Sequence, residues 1–381
     1  MRAWAILMML QGHFIDGLLD TLFRDASDLT YTIWKYFRGI TAPVFFTVSG
    51  FIFTYLLIRV PQKGMYNPRV KKGVKRGMQL LLIGYLLRAN VLGLLKGQIY
   101  DAFYLVDVLH CIGLSILTII ALYLITQQRR PTVFPILLFA ITTLLFVFEP
   151  IYKQWTFDFL PTSIANYFSQ SNGSVFTIIP WLGYSAFGGF LSVLFFRFKE
   201  HRFLYEYAII ASLLLGLSLI FLSSEVFMIL HELTGLAVFQ GVALNNYLFI
   251  RLGDVFVVFA VFMLFRSYMM NTTFLRIGQN TLSIYVIHFI ILYGSLTGIG
   301  LYRFFHHELD PITSIIGAIL FMFVCSLLAL IYDKHEGSIK QAISLIFKPL
   351  NSFIQPISEG VLKTTKSLVA KILRMLGLAK G

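Results

Sequence analysis

Ten apolar runs, each about as long as a bilayer is thick, constrain this chain more than any other feature of its sequence. A transmembrane helix needs about 20 mostly apolar residues, and 57% of the 381 residues here are hydrophobic, with a mean hydropathy of +0.78. This composition excludes a water-soluble globular enzyme. We therefore predict an all-α, polytopic integral membrane protein with helices near residues 3–22, 39–58, 77–95, 103–126, 132–149, 175–196, 203–223, 246–266, 279–299 and 311–332.

The basic residues between these runs predict how the chain is oriented. The even-numbered connections carry fourteen Lys and Arg residues, and the odd-numbered ones carry seven. By the positive-inside rule, the even connections and both termini face the cytoplasm. The net charge of +13 is therefore attributed to topology, and no nucleic-acid partner is expected. We predict one transmembrane domain over residues 1–333 and a basic, amphipathic tail over 334–381 on the inner leaflet.

Ionisable side chains inside the spans are candidates for a functional site, because each costs about 2.5 kcal/mol or more to insert. In the first helix, His13, Asp16 and Asp20 stand at i, i+3 and i+7 and so share one face. This spacing lets the Asp16 carboxylate accept a hydrogen bond from the His13 imidazole and orient it. A rise of about 1.5 Å per residue puts His13 in the outer half of the bilayer. The alternative is a histidine that only bonds a neighbouring helix.

Further polar residues at similar depth favour one outward-facing cavity. Asp107 and His110 repeat the i, i+3 spacing near the outer end of the fourth helix, and His288 lies in the middle of the ninth. The other members of this set are Arg38, Arg251, Asp254 and Asn280. Arg251 and Asp254 can equally neutralise each other without a role in any site.

Neither a metal site nor a disulfide framework is expected. Cys111 and Cys325 both lie in apolar runs. His306, His307 and Glu308 stand together in an outer connection without the helical spacing of a zinc protease. Nucleotide-binding and serine-hydrolase motifs are absent from the sequence as well.

Five segments follow one another along the chain as a set: RAWAILMMLQGHFID, RGITAPVFFTVSGF, VDVLHCIGLSIL, IIPWLGYSAFGGF and IGQNTLSIYVIHFIIL. Together, from Arg2 to about residue 292, they resemble the bacterial relatives of heparan-alpha-glucosaminide N-acetyltransferase, within the wider group of transmembrane acyltransferases. Two positions depart from the resemblance: Ala3 stands where the relatives have a glycine, and Ile290 replaces a proline. The aspartate that the relatives carry shortly before the first arginine would precede Met1, so its role is not carried over.

The resemblance implies transfer of an acyl group, expected to be acetyl, from cytoplasmic acyl-CoA to a hydroxyl or amine of an extracytoplasmic sugar or glycan. It implies that His13 acts as general base or as acyl carrier and that Asp16 orients it. The residues expected to bind the acceptor or the thioester carbonyl are Arg38, Asp107, His110, Trp181, Arg251, Asp254, Asn280 and His288. Those expected near the CoA phosphates are Lys71, Lys72, Lys75 and Arg76, although the positive-inside bias alone would also explain them.

The resemblance further implies acetyl-CoA as co-substrate, no metal, and a bacterial cytoplasmic (inner) membrane as location. The expected partners are the acceptor, the lipid bilayer and, as an assembly to test, a second copy in a homodimer. Two other classes stay open. A proton-coupled transporter or flippase of a sugar or lipid-linked substrate would also need intramembrane His, Asp and Arg. An envelope assembly protein would use these residues only to fix helix packing.

Overall fold

The structure is a computed structural model that describes residues 1–339 and residue 341, and within these residues it is helical and holds no β-sheet. The chain divides into two compact units, Met1–Leu327 and the residues from Leu328 onward, and the site discussed below lies in the first. Two isolated β-bridges join Leu19 with Leu309 and Asn90 with Leu296. The all-α prediction is confirmed.

Ten long helices, within the described residues, follow the order of the predicted spans. They are α1 (Arg2–Leu18), α2 (Leu29–Ile58), α3 (Pro68–Arg88), α4 (Val108–Thr126), α5 (Val133–Val147), α6 (Ile178–Arg197), α7 (Leu204–Phe221), α8 (Tyr247–Leu264), α9 (Thr281–Tyr293) and α10 (Pro311–Ile339). Shorter helices in the connections are Val91–Leu95, Glu149–Tyr152, Thr162–Ala165, Ser223–Thr234, Ala237–Leu244, Thr272–Gln279 and Leu301–Phe305.

Six helices in the described part of the chain are long and apolar enough to cross a membrane. They are α2, α6, α7, α8, α10 and the stretch Asp101–Thr126, which contains α4. Thr272–Gln279 and α9, bent by 71° at their junction, form a seventh candidate if the pair is one span. Of the remaining long helices, α1 and α5 are shorter, with 17 and 15 residues, and α3 is more polar. The apolar helices support an integral membrane protein, while ten spans and cytoplasmic termini stay predictions.

Two helices begin earlier than hydropathy predicts. α2 starts at Leu29, where the Asp28 side chain accepts a hydrogen bond from an amide of the first turn. α3 starts at Pro68, after Asn67, whose side chain caps the helix in the same way. Capping side chains, and not apolar residues, set these starts. α2 therefore extends well beyond the predicted apolar span and carries Arg38 in its added N-terminal part.

Most of the predicted inner-leaflet tail, residues 340 and 342–381, lies outside the described residues. α10 continues past the predicted boundary at residue 333 as far as Ile339. The boundary itself stays a prediction.

α2 packs more extensively against α6 than against any other helix. A Cβ atom at Gly50 would lie 1.9 Å from the carbonyl oxygen of Ser185, and one at Gly188 would lie 1.9 Å from that of Thr47. The two backbones therefore touch at these glycines. Small residues allow membrane helices to approach this closely, and the van der Waals attraction between the closely packed backbones helps to hold them together.

Pro43 lies inside α2, and its missing amide leaves the carbonyl of Gly39 without the usual helical partner. The hydroxyl of Tyr247, from α8, lies 3.5 Å from that carbonyl oxygen. The Thr47 hydroxyl donates to the Pro43 carbonyl at 2.8 Å. Because backbone groups at membrane depth need partners within the protein, these contacts allow α2 to continue past its proline.

Gly188→Ala should destabilise the protein by about 1–3 kcal/mol, since the added methyl group overlaps the Thr47 carbonyl. The matched control is Gly337→Ala, because no atom lies within 4 Å of a Cβ at that helical position. The control should be neutral or slightly stabilising, as alanine is the better helix former. Thermal unfolding in detergent measures both changes, and equal unfolding midpoints would contradict the close approach of α2 to α6.

Candidate functional site

A cavity of about 790 Å³ lies at the ends of α1, α2, α3, α4, α6, α8 and α9 that are predicted to face outside. Its size is that of a small-molecule site. Its polar wall is formed by His13, Asp16, Arg38, Thr41, Arg88, Asn90, Asp107, Trp181, Tyr247, Tyr285, Tyr293, Ser295 and Tyr302. The structure thus brings five predicted residues together here, and these are His13, Asp16, Arg38, Asp107 and Trp181.

His13, in the C-terminal half of α1, contacts Tyr293, the last residue of α9. Nδ1 of His13 lies 3.0 Å from the Tyr293 hydroxyl oxygen. The His288 ring stands edge-on to the His13 ring, with 5.2 Å between the ring centroids, but it is fully buried and does not line the cavity. Among the described residues, Nε2 of His13 has no hydrogen-bond partner. That nitrogen is therefore available for proton transfer or acylation.

Asp16 pairs with Arg38 and not with His13, which corrects the hydrogen bond predicted from the i, i+3 spacing. The carboxylate of Asp16 and the guanidinium of Arg38 form an ion pair between α1 and α2. Gly12 leaves room for this contact, since a Cβ there would lie 3.2 Å from Cγ of Arg38. A guanidinium binds a carboxylate more strongly than a neutral imidazole does. The capped N-terminal extension of α2 brings Arg38 within reach of Asp16.

The second predicted pair, Asp107 and His110, forms the start of α4. Asp107 accepts a hydrogen bond from the Leu109 amide at 2.9 Å, Nδ1 of His110 lies 3.0 Å from the same carboxylate oxygen, and Nε of Arg88 lies 3.4 Å from the other oxygen. His110 is fully buried, and a Cβ at Gly84 would lie only 2.5 Å from its ring. Asp107 and Arg88 line the cavity, whereas His110 does not. The structure therefore places His110 in a capping and packing position, not at the predicted binding surface.

Three more predicted residues lie outside the cavity wall. Nη1 of Arg251 donates to Asp254 at 2.9 Å, and the Tyr36 hydroxyl donates to the other carboxylate oxygen at 2.7 Å. The Arg251 guanidinium also stands 4.5 Å from the centroid of the Tyr36 ring. These contacts match the alternative in which Arg251 and Asp254 neutralise each other without a role in any site. Asn280 lies at the end of α9 remote from the cavity, where its side chain donates to the Arg276 carbonyl.

Three buried polar atoms of the cavity wall have neither a hydrogen-bond nor an ion-pair partner within the described residues: Nε1 of Trp181, Oγ1 of Thr41 and Oγ of Ser295. Each of these residues is more than nine-tenths buried. Trp181 packs against Phe46 and Phe176, with ring centroids 5.3 and 4.9 Å away. Buried polar groups are usually paired, and an aromatic wall with a few free polar atoms is typical of a ligand site.

The predicted donor-binding residues lie at the other end of α3. Lys71, Lys72 and Lys75 are exposed on its first turns and Arg76 follows them, whereas Arg88 ends the helix in the cavity wall. At about 1.5 Å per residue, roughly 25 Å separates Lys71 from Arg88 along the helix axis. The hydrocarbon core of a bilayer is about 30 Å thick. The basic group and the cavity therefore lie toward opposite ends of the helix.

The sequence carries a signal for two of the cavity-wall residues that the predictions missed, Arg88 and Tyr293. Arg88 ends an apolar run, as ion-paired residues at a membrane boundary often do, and Tyr293 follows His288 on the same predicted helix. Thr41 and Ser295 carry no such signal, because isolated hydroxyl residues are common in membrane helices and turns.

Asp107→Ala should destabilise the protein by about 2 kcal/mol or more. The change removes a helix cap and leaves Arg88 and the buried His110 without their carboxylate. Asp28→Ala is the matched control, since Asp28 caps α2 from an exposed position, and its loss should be smaller. Thermal unfolding in detergent compares the two variants. An equal loss would show that Asp107 acts as a cap and nothing more.

Comparison with known proteins identifies the family. The sequence model described as Acyltransferase domain (Acyl_transf_3) matches residues 1–331. Neither a curated protein nor a solved structure shows a significant match to the chain. The matched range includes every residue of the cavity wall. The chain therefore belongs to the Acyltransferase domain family and is a membrane acyltransferase.

Proposed function

We propose that the protein transfers an acyl group, acetyl in the first instance, from cytoplasmic acyl-CoA to a sugar or glycan outside a bacterial inner membrane. His13 serves as the general base. The observation that carries this proposal is the position of the His13 imidazole in the wall of a 790 Å³ cavity, at the opposite end of the helices from the basic start of α3.

The cavity wall suits a sugar acceptor. Aromatic rings such as those of Trp181 and Phe176 offer flat apolar surfaces to the C–H faces of a sugar ring. The paired charges of Asp16 and Arg38 can bond neighbouring hydroxyl groups, one as acceptor and the other as donor. The resemblance to the bacterial relatives of heparan-alpha-glucosaminide N-acetyltransferase supports the same substrate class.

His13 can perform the transfer without a net change in its own protonation. Nε2 takes the proton of the acceptor hydroxyl or amine while the acceptor atom attacks the thioester carbonyl carbon. The bond between this carbon and the CoA sulfur then breaks, and the thiolate receives the proton from His13. Trp181 Nε1 and Thr41 Oγ1, which have no partners among the described residues, are donors available to the carbonyl oxygen as its negative charge develops.

The basic start of α3 is the proposed approach for the CoA phosphates. Lys71, Lys72 and Lys75 are exposed there, and clustered cations raise the local concentration of an anionic ligand. This arrangement leaves the nucleotide on the cytoplasmic side while the thioester reaches toward His13. Neutralising these lysines should accordingly weaken donor binding more than it slows the chemical step.

Acetyl-CoA should raise the unfolding midpoint of the detergent-purified protein, by an amount equivalent to about 2.7 kcal/mol at a hundredfold excess over its Kd. His13→Ala should bind the donor equally well but release no CoA when sugar acceptors are added. His231→Gln, at a partly exposed position outside the cavity wall, should behave as wild type in both assays.

Two results would contradict the proposal. One is the absence of stabilisation by any acyl-CoA, and the other is CoA-independent, His13-dependent movement of a solute across proteoliposomes, which indicates a transporter. Radiolabelled acetyl-CoA without acceptor should leave the protein unlabelled, because a general base forms no covalent bond to the acyl group. Label on His13 would instead indicate an acyl-imidazole route.

Asp16→Asn should lower turnover at least about tenfold, since the amide no longer holds the Arg38 guanidinium in the cavity wall by charge. Asp20→Asn is the matched control; α1 ends at Leu18, so Asp20 lies just beyond the helix and not on its face as the spacing predicts. Asp20 caps the amide of Leu22, a role that asparagine also fills, so its turnover should stay near that of wild type. Initial rates at saturating acyl-CoA measure the turnover of both variants. Unchanged turnover in Asp16→Asn would show that Asp16 has no part in the mechanism.

A further inference from the structure

Tyr293 supplies the hydrogen-bond partner for His13 that the sequence assigned to Asp16. The hydroxyl oxygen of Tyr293 lies 3.0 Å from Nδ1 of His13, and the two ring centroids are 6.0 Å apart. Asp16 is engaged by Arg38. The contact joins α1 to α9, so it arises from the packing of the two helices and not from the spacing of residues within either one.

The Tyr293 ring is held from several directions. Phe289, one turn earlier on α9, and Tyr302 lie with ring centroids 5.0 and 5.7 Å from it. α9 ends at Tyr293 because Gly294 adopts a left-handed conformation with φ of 69°. A Cβ at Gly294 would lie only 2.4 Å from the backbone of Ile299. The turn after α9 thereby determines where the helix ends and holds Tyr293 at the cavity.

A histidine that acts as a base needs a free lone pair on the nitrogen that meets the acceptor. A neutral imidazole carries one proton, and the hydrogen bond made by one ring nitrogen determines which nitrogen carries it. Nδ1 is the nitrogen of His13 that Tyr293 contacts. When the proton is on Nδ1, the lone pair is on Nε2. When the proton is on Nε2, that nitrogen cannot accept another.

We propose that Tyr293 is a positioning residue whose hydroxyl oxygen accepts the Nδ1–H of His13 and thereby keeps the Nε2 lone pair free for the acceptor. The inference rests on the proposed role of His13 as a base. Through the transfer, Nε2 gains the acceptor proton and passes it to the CoA thiolate. Nδ1–H stays bonded to Tyr293, and the tyrosine neither gains nor loses a proton.

Nitrogen-15 NMR of the histidine-labelled, full-length protein in detergent reads this tautomer directly, with the His13 signals assigned from the spectrum of His13→Gln. Wild type should show His13 with its proton on Nδ1. In Tyr293→Phe the proton should move at least partly to Nε2, which a free imidazole favours. The matched control is Tyr152→Phe, which removes another largely buried tyrosine hydroxyl, bonded to the Leu145 carbonyl, and should leave the His13 signals unchanged.

Two NMR results would overturn the inference: a wild-type proton on Nε2, or an unchanged tautomer in Tyr293→Phe. With acyl-CoA and an acceptor, Tyr293→Phe should lower kcat about ten- to a hundredfold with KM for acyl-CoA within about twofold of wild type. If the tautomer moves but wild type shows no acyl transfer, the proposed function fails and the positioning role of Tyr293 stands. If kcat falls while the tautomer is unchanged, the positioning role fails and the proposed function stands.

Discussion

Polar side chains among membrane helices have few partners other than one another, and this constraint shapes the whole site. Each group left without a partner in hydrocarbon costs several kcal/mol. The charged residues around the cavity accordingly occur as charge-paired sets in the structure. These sets are Asp16 with Arg38, Asp107 with Arg88 and His110, and Asp254 with Arg251 and Tyr36. His13 meets the neutral hydroxyl of Tyr293 instead, and its Nε2 has no hydrogen-bond partner among the described residues.

α2 is the helix on which this arrangement depends most. Its capped start at Leu29 places Arg38 beside α1, and its glycine contact with α6 brings the segment that holds Trp181 to the cavity. The Tyr247 hydroxyl from α8 lies near the carbonyl that Pro43 leaves free. α2 thus supplies Arg38 of the ion pair, packs against the helix that carries Trp181, and lies beside the Tyr247 hydroxyl. A change in its stagger would displace all three together.

The alternating directions of successive helices explain why the cavity residues meet at one end of the helices. Residues late in α1, α3 and α9 and residues early in α2, α4, α6 and α8 all lie at the same end of this arrangement. The exposed lysines early in α3 lie at the other end. A cavity at one end of the helices and exposed lysines at the other would suit the proposed transfer of an acyl group without movement of CoA.

Local rules predicted the order of the ten long helices and pointed to His13, which lines the cavity. Hydropathy predicted a helix at each of the ten positions, because long apolar runs exclude other structures in a bilayer. Helical periodicity placed His13 and Asp16 on one face of α1, and both line the cavity. The same periodicity failed for their hydrogen bond, because it describes neighbours within one helix and Asp16 found a stronger partner on another.

The sequence by itself therefore determined that the chain is an all-helical membrane protein and which few polar residues are costly enough inside it to need partners. Only the tertiary structure decided which partners they have. Asp16 pairs with Arg38, His13 contacts Tyr293, and His110 forms a capping box with Asp107 at the start of α4. These choices depend on the rotation and stagger of each helix against its neighbours. Caps, such as Asp28, and backbone contacts, such as those at Gly50 and Gly188, set both quantities, and no single helical segment contains that information.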